Sequence, residues 1–182
     1  MEVEQLPLSG LLLIKPRVFR DSRGFFVETY SEPRYAAAGM DAPFVQDNHS
    51  RSGRGTLRGL HYQASPGQAK LIRVASGTIY DVAVDIRPDS PTFGKWYGAT
   101  LDAESHAQLY VPIGFAHGFC VTSESADVVY KVTSVYDAKT ECGIRWNDPD
   151  IGVEWPLDAP ILSERDQKTE SFAEFTKRVR SR

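Results

Sequence analysis

Apolar residues come in short runs along most of the chain, alternating with polar ones and broken by Gly, Pro, Asp and Ser. Successive side chains of a strand point to opposite faces, so this period-two pattern predicts an antiparallel all-β domain. The strand-like runs fall at 11–15, 24–29, 44–50, 57–62, 71–75, 78–86, 96–101, 108–111, 118–121 and 128–136. So many strands at this spacing imply a β-barrel or two-sheet jelly roll, whose mouth is a common ligand site. Helices are few. Residues 32–38 read as a short peripheral helix, and 171–180 follow a Ser or Thr cap. The charged C-terminal stretch 167–182 is then either a docked helix or a solvated tail.

Composition narrows the picture without naming a partner. With 182 residues and 41% hydrophobic content, the chain suits one substantial core, and a single domain over 1–182 is expected. A net charge of -3 gives no global attraction to nucleic acid or to an anionic membrane, so an anionic ligand must be held by locally placed cations. Cys120 and Cys142 are the only cysteines and read as free thiols in a reducing cytoplasm. The N-terminus "MEVEQLPLSG" carries acids where a secretory signal has positive charge, and "LLLI" is too short to span a bilayer. The expected setting is cytoplasmic.

Candidate chemistry then enters through the strand faces. In "FVQDNHS", Gln46, Asn48 and Ser50 share a face; in "YKVTSVY", Tyr130, Val132, Ser134 and Tyr136 share another. Such faces are either solvent-exposed or line a wet cavity. "VPIGFAHGF" fits the second motif of the cupin superfamily through Pro112, Gly114 and His117. The first cupin motif supplies two further histidines and a glutamate for a metal, whereas the corresponding positions here are His61, Gln63 and Gln68. Glutamine amides are poor substitutes for imidazole and carboxylate, so no metal site is expected. A metal-free His61 is available as a general base near neutral pH.

Taken in order, "DSRGFFVETY", "QDNHSRS", "GTLRGLHYQ", "DVAVDIRPDSPTFG", "VPIGFAHGF", "VVYKVTSVYD" and "LSERD" resemble the dTDP-4-dehydrorhamnose 3,5-epimerase family, from the N-terminal strands to about Phe172. The resemblance implies a cupin-type jelly roll, a homodimer, and action without cofactor or metal on a dTDP-linked 4-keto-6-deoxy sugar. Both reacting carbons, C3 and C5, flank the C4 ketone, so either proton can leave to form an enolate on the same oxygen.

By motif, His61 matches the family's base and Asp166 its carboxylate partner; Tyr130 matches the acid that protonates the opposite face. Lys70 matches a binding position and is the candidate to bear the enolate charge, with Asp81 on the following strand expected to pair with it. Arg23 and Arg58 match positions that hold the nucleotide end, a role suited to the planar guanidinium fork. Glu28, Gln46, Asn48, His117, Tyr136, Glu141 and Arg165 are the remaining substrate-binding candidates. Arg165 stands where the family more often has lysine.

Strict alternation puts Arg58 and His61 on opposite faces of one strand, in conflict with a shared ligand. A bulge at Gly59 resolves the conflict, as does service of Arg58 to a neighbouring subunit. The N-terminal strands are candidates for pairing with a partner's sheet edge. Three other readings compete: an epimerase acting at C3 or C5 alone, a metal-dependent cupin enzyme, and a sugar-binding module without catalysis.

Overall fold

The structure is a computed structural model describing residues 1–181. Thirteen strands form: β1 (Glu2–Gln5), β2 (Leu12–Lys15), β3 (Val18–Asp21), β4 (Gly24–Val27), β5 (Gln46–Gly53), β6 (Leu57–Gln63), β7 (Lys70–Ser76), β8 (Thr78–Asp85), β9 (Trp96–Asp102), β10 (Gln108–Val111), β11 (Phe115–Val121), β12 (Ser125–Val132) and β13 (Glu141–Gly143). Two α-helices accompany them, α1 (Glu32–Ala37) and α2 (Phe172–Arg180). A six-stranded sheet runs β1-β2-β10-β7-β12-β5 and a five-stranded sheet β13-β6-β11-β8-β9, every pairing antiparallel; β3 and β4 form a separate hairpin. This is the jelly roll that the strand pattern implied.

Period-two alternation assigns each face. On β8, Ile79 and Ala83 point between the sheets, where they meet Phe115 and Phe119 of β11 and Ile72, Val74 and Val128 of the facing layer. Val82 and Val84 point outward, yet they are also buried, because α2 lays Phe172 and Phe175 over them. The helix is held by a capping box. Ser171 Oγ accepts the Glu174 N–H at 3.2 Å, and the Glu174 carboxylate accepts the Ser171 N–H at 2.8 Å. Of the two expectations for the C-terminus, the docked helix is therefore the one found. On the other layer, Tyr35 of α1 and Met40 cover Leu12, Ile14, Leu71 and Tyr110.

Three strands escape the hydrophobic pattern for identifiable reasons. β1 is "EVEQ", an edge strand with little to bury; β3 belongs to an exposed hairpin; β13 has three residues. The last long run also ends early. β12 stops at Val132, so Tyr136 leaves on a loop and its position is not set by the alternation that places Tyr130. No helix among the described residues is long and apolar enough to cross a membrane.

Candidate active site

Glycine chemistry creates the local geometry of the site. His61 on β6 pairs with His117 on β11, and Arg58 pairs with Phe119, so two residues of β6 stand opposite the single Gly118. This is a β-bulge, and it turns Arg58 onto the same interior face as His61. Gly59 has φ +136, and a Cβ there would lie 2.5 Å from Gly118 Cα. No other residue fits this approach without displacing a strand. Arg58 and His61 consequently line one cavity of about 310 Å³ between the two sheets.

Asn48, Lys70, His117, Tyr130, Tyr136, Glu141, Arg165 and Asp166 line the same cavity. His61 Nε2 meets Asp166 Oδ1 at 2.5 Å across 105 residues of sequence. With Nε2 engaged by the carboxylate, Nδ1 is the ring nitrogen left for a ligand. Asp166 is 4% exposed and begins a 3-10 turn in which its N–H donates to Ser163 Oγ at 3.1 Å. Burial alone would raise the pKa of Asp166, but the His61 hydrogen bond and charge outweigh it and bring the carboxyl below its ordinary value. The pair is therefore an imidazole held by a carboxylate.

Lys70 begins β7 on the facing sheet, its Nζ 3.4 Å from the His61 carbonyl oxygen. Desolvation pulls its pKa down to about 8, against the opposing pull of Glu141 and Asp81. Tyr130, on the same six-stranded sheet, is opposite Asn48 of β5. Burial and the nearby Glu141 charge raise its phenol pKa, so at neutral pH it carries a proton to donate. At the rim, Arg165 Nη1 donates to Glu141 Oε2 at 2.5 Å. The raised pKa of Tyr136 comes first from its contact with that same carboxylate.

Other candidates sit elsewhere than the sequence reading expected. Gln46 stands behind the wall: its Nε2 donates to Asn48 Oδ1 at 2.7 Å and its Oε1 accepts the Tyr136 N–H at 3.0 Å. Arg23 lies at the turn of the β3–β4 hairpin, paired with Asp21 at 2.6 Å, and Glu28 pairs with Arg34 at 2.7 Å. Neither lines the cavity of its own chain. Asp81 was expected to pair with Lys70; instead both its oxygens accept from His117 Nε2, at 2.8 and 2.9 Å. The reason is strand geometry, since the inward-facing Asp81 on β8 is the diagonal neighbour of His117.

The two glutamines at the cupin metal positions hold the 134–140 loop. Gln68 Nε2 donates to Ser134 O at 2.8 Å, and Gln63 Nε2 to Asp137 O at 2.9 Å and Thr140 Oγ1 at 2.8 Å. Among the described residues, no three His, Cys, Asp or Glu side chains are grouped to hold a metal ion. Ser50, Phe119 and Ser163 also line the cavity without having been singled out as site residues. The shared face of Gln46, Asn48 and Ser50 was the available signal for the first of them.

A jelly roll whose interior carries a sheet histidine held by a carboxylate from a distant turn, and a protonated phenol on the facing sheet, has the parts that acid–base chemistry on a small ligand needs. The sequence pattern of the dTDP-4-dehydrorhamnose 3,5-epimerase family matches residues 5–174, and the chain belongs to that family. A dTDP-4-dehydrorhamnose 3,5-epimerase of Pseudomonas aeruginosa is 50% identical over 176 residues, covering 96% of this chain and 97% of the relative. One from Neisseria gonorrhoeae is 51% identical over 178 residues; the match covers 97% of this chain but 54% of that relative, so the chain spans about half its length. Among solved structures, the Legionella pneumophila dTDP-6-deoxy-D-glucose-3,5-epimerase in complex with dTDP-4-keto-L-rhamnose superimposes with a TM-score of 0.92. Its sequence is 43% identical, and 96% of each chain is covered.

Proposed function

We propose that the protein is an isomerase that inverts C3 and C5 of dTDP-4-dehydro-6-deoxy-D-glucose to give dTDP-4-dehydro-L-rhamnose. The observation that carries this reading is the disposition of base and acid on opposite layers. His61, backed by Asp166, stands on the five-stranded sheet, and Tyr130 on the six-stranded one, with a single cavity between them. His61 Nδ1 takes a proton from a carbon next to the ketone, and the electron pair moves to the C4 oxygen as an enolate. Lys70 offers its ammonium to that oxygen. Tyr130 then delivers a proton to the carbon from the other side, and solvent exchange resets both side chains. The same machinery serves C3 and C5 because both flank the ketone.

Arg58 is held for the nucleotide end. Its Nε donates to Ser52 Oγ at 3.0 Å, which leaves the terminal nitrogens of the fork for phosphate oxygens. Asn48, His117, Tyr136, Glu141 and Arg165 complete the binding wall.

A homodimer is part of the same reading. The β3–β4 hairpin exposes Phe19, Phe25 and Phe26, the last two at 57% and 69%, and such a cluster is a surface for another chain. A second copy seated there would bring Arg23 and Glu28 to bear on its own cavity.

The deciding experiment is proton NMR in D₂O with the dTDP-4-keto-6-deoxyglucose substrate. Deuterium at both C3 and C5, with inversion, is expected. Deuterium at one carbon alone would make the protein a single-centre epimerase, and none at either would overturn the assignment. Light scattering at micromolar protein should give twice the chain mass.

A further inference from the structure

The cavity lining includes His117, which is backed by the buried Asp81 in a second imidazole–carboxylate pair that the proposed proton transfers do not use. Asp81 is wholly buried, at 0% exposure, and His117 beside it is 7% exposed. Both carboxylate oxygens of Asp81 are within 2.9 Å of the same ring nitrogen, His117 Nε2. A carboxylate only accepts, so Nε2 carries the proton. Burial, the largest influence, draws the His117 pKa below its ordinary value despite Asp81, and the ring is neutral at physiological pH. A neutral ring protonated on Nε2 has a bare lone pair on Nδ1. Among the described residues that nitrogen has no hydrogen-bond partner, and His117 lines the cavity.

The contrast with the neighbouring cations is what gives this lone pair meaning. Arg58, Lys70 and Arg165 line the same cavity with donors, and its two carboxylates are already engaged, Glu141 by Arg165 and Asp166 by His61. An acceptor among donors asks for a group that gives a hydrogen bond, which a phosphate oxygen, a ketone or an enolate cannot do. A hydroxyl can. On a 4-keto-6-deoxyhexose joined to its nucleotide through C1, the hydroxyl on a carbon that does not react is the one at C2.

We propose that Asp81 is a positioning residue that locks His117 in its Nε2–H form, so that Nδ1 selects sugars bearing a ring hydroxyl next to the nucleotide-linked carbon. This rests on the epimerase reading for the identity of the sugar, though the tautomer itself does not. A ligand lacking the hydroxyl leaves a desolvated lone pair without a partner, a loss of about tenfold to a hundredfold in affinity-type terms.

Two measurements on the wild-type chain test this, and a variant locates the cause. Nitrogen-15 NMR of the histidine-labelled protein should show His117 with Nε2 protonated and Nδ1 bare throughout the neutral range; the signal is assigned by its loss in His117→Asn. A protonated Nδ1 overturns the proposal whatever the enzyme acts on. Turnover of dTDP-4-keto-6-deoxyglucose is then compared with that of its 2-deoxy analogue, which should be about tenfold to a hundredfold poorer in kcat/KM. Equal use of both sugars overturns the selectivity, whereas failure to turn over either one defeats the epimerase reading and leaves the tautomer result standing. Asp81→Asn, whose amide can also donate to Nε2, should mix the tautomers and shrink the preference between the two sugars. An equal loss on both, with the preference intact, would reduce Asp81 to a packing role.

Discussion

Replacing Tyr130 by Phe separates the two halves of the proposed reaction. His61 keeps its ability to take a proton and return it, so exchange with solvent deuterium should continue while inversion falls by about 10²- to 10⁴-fold. Equal losses in exchange and inversion would remove Tyr130 from the reprotonation step. His61→Asn should abolish exchange with the fold intact, and adding Asp166→Asn to it should cost almost nothing more, because the carboxylate acts through the imidazole. Lys70 gives a test in pH. Its pKa of about 8 lies below the ordinary lysine value, so the cation proposed to meet the enolate is lost as pH rises through about 8, and kcat should fall there. The stability effect has the opposite sense. The unfolded chain binds this proton more tightly, so the wild type gains stability between about pH 8 and the ordinary lysine value of 10.5. Lys70→Met should therefore raise the melting temperature at pH 7, and its advantage should shrink in melts at higher pH. These residues were legible through resemblance more than through spacing, since nothing in a strand pattern joins His61 to an aspartate 105 positions away. Asp81 shows the limit. Its strand was legible, but its diagonal partner depends on strand register, which the sequence alone left open.

Strand-level reasoning succeeded where a run has one face to bury and faltered where it has little. β6, β7, β8 and β9 fall within a residue or two of their sequence boundaries, while the polar edge strand β1 and the short β13 carried no alternation to read. The conflict between Arg58 and His61 was visible as opposite faces under strict alternation, and the bulge at Gly59 resolves it. Its tightness is testable at Gly118, where an added Cβ would lie 2.7 Å from the Arg58 carbonyl oxygen. Gly118→Ala should lower stability by about 1–3 kcal/mol in urea melts, as overpacking does. It should also raise KM by shifting Arg58, and an unchanged KM would mean the fork is not held by this contact. The outer layer offers a control. Phe175→Ala, on α2 and 2% exposed, should cost about 3–5 kcal/mol while leaving KM near its wild-type value in the folded fraction.

At the scale of the whole molecule, the fold class followed from counting short strands, but the covering of both sheets did not, because it depends on which distant segments dock outside. The hairpin that exposes Phe25 and Phe26 also had no role visible in its sequence beyond Arg23. The proposed placement of proton removal on one sheet and proton delivery on the other has a consequence for how such a protein can change over time. The layers are separate strand sets, so substitutions on one can alter where a hydrogen returns without disturbing where it departs. Stereochemical outcome then behaves as a modular trait: new products can arise by drift in a single layer, while the ancestral power to loosen the carbon–hydrogen bond is inherited unchanged from the other.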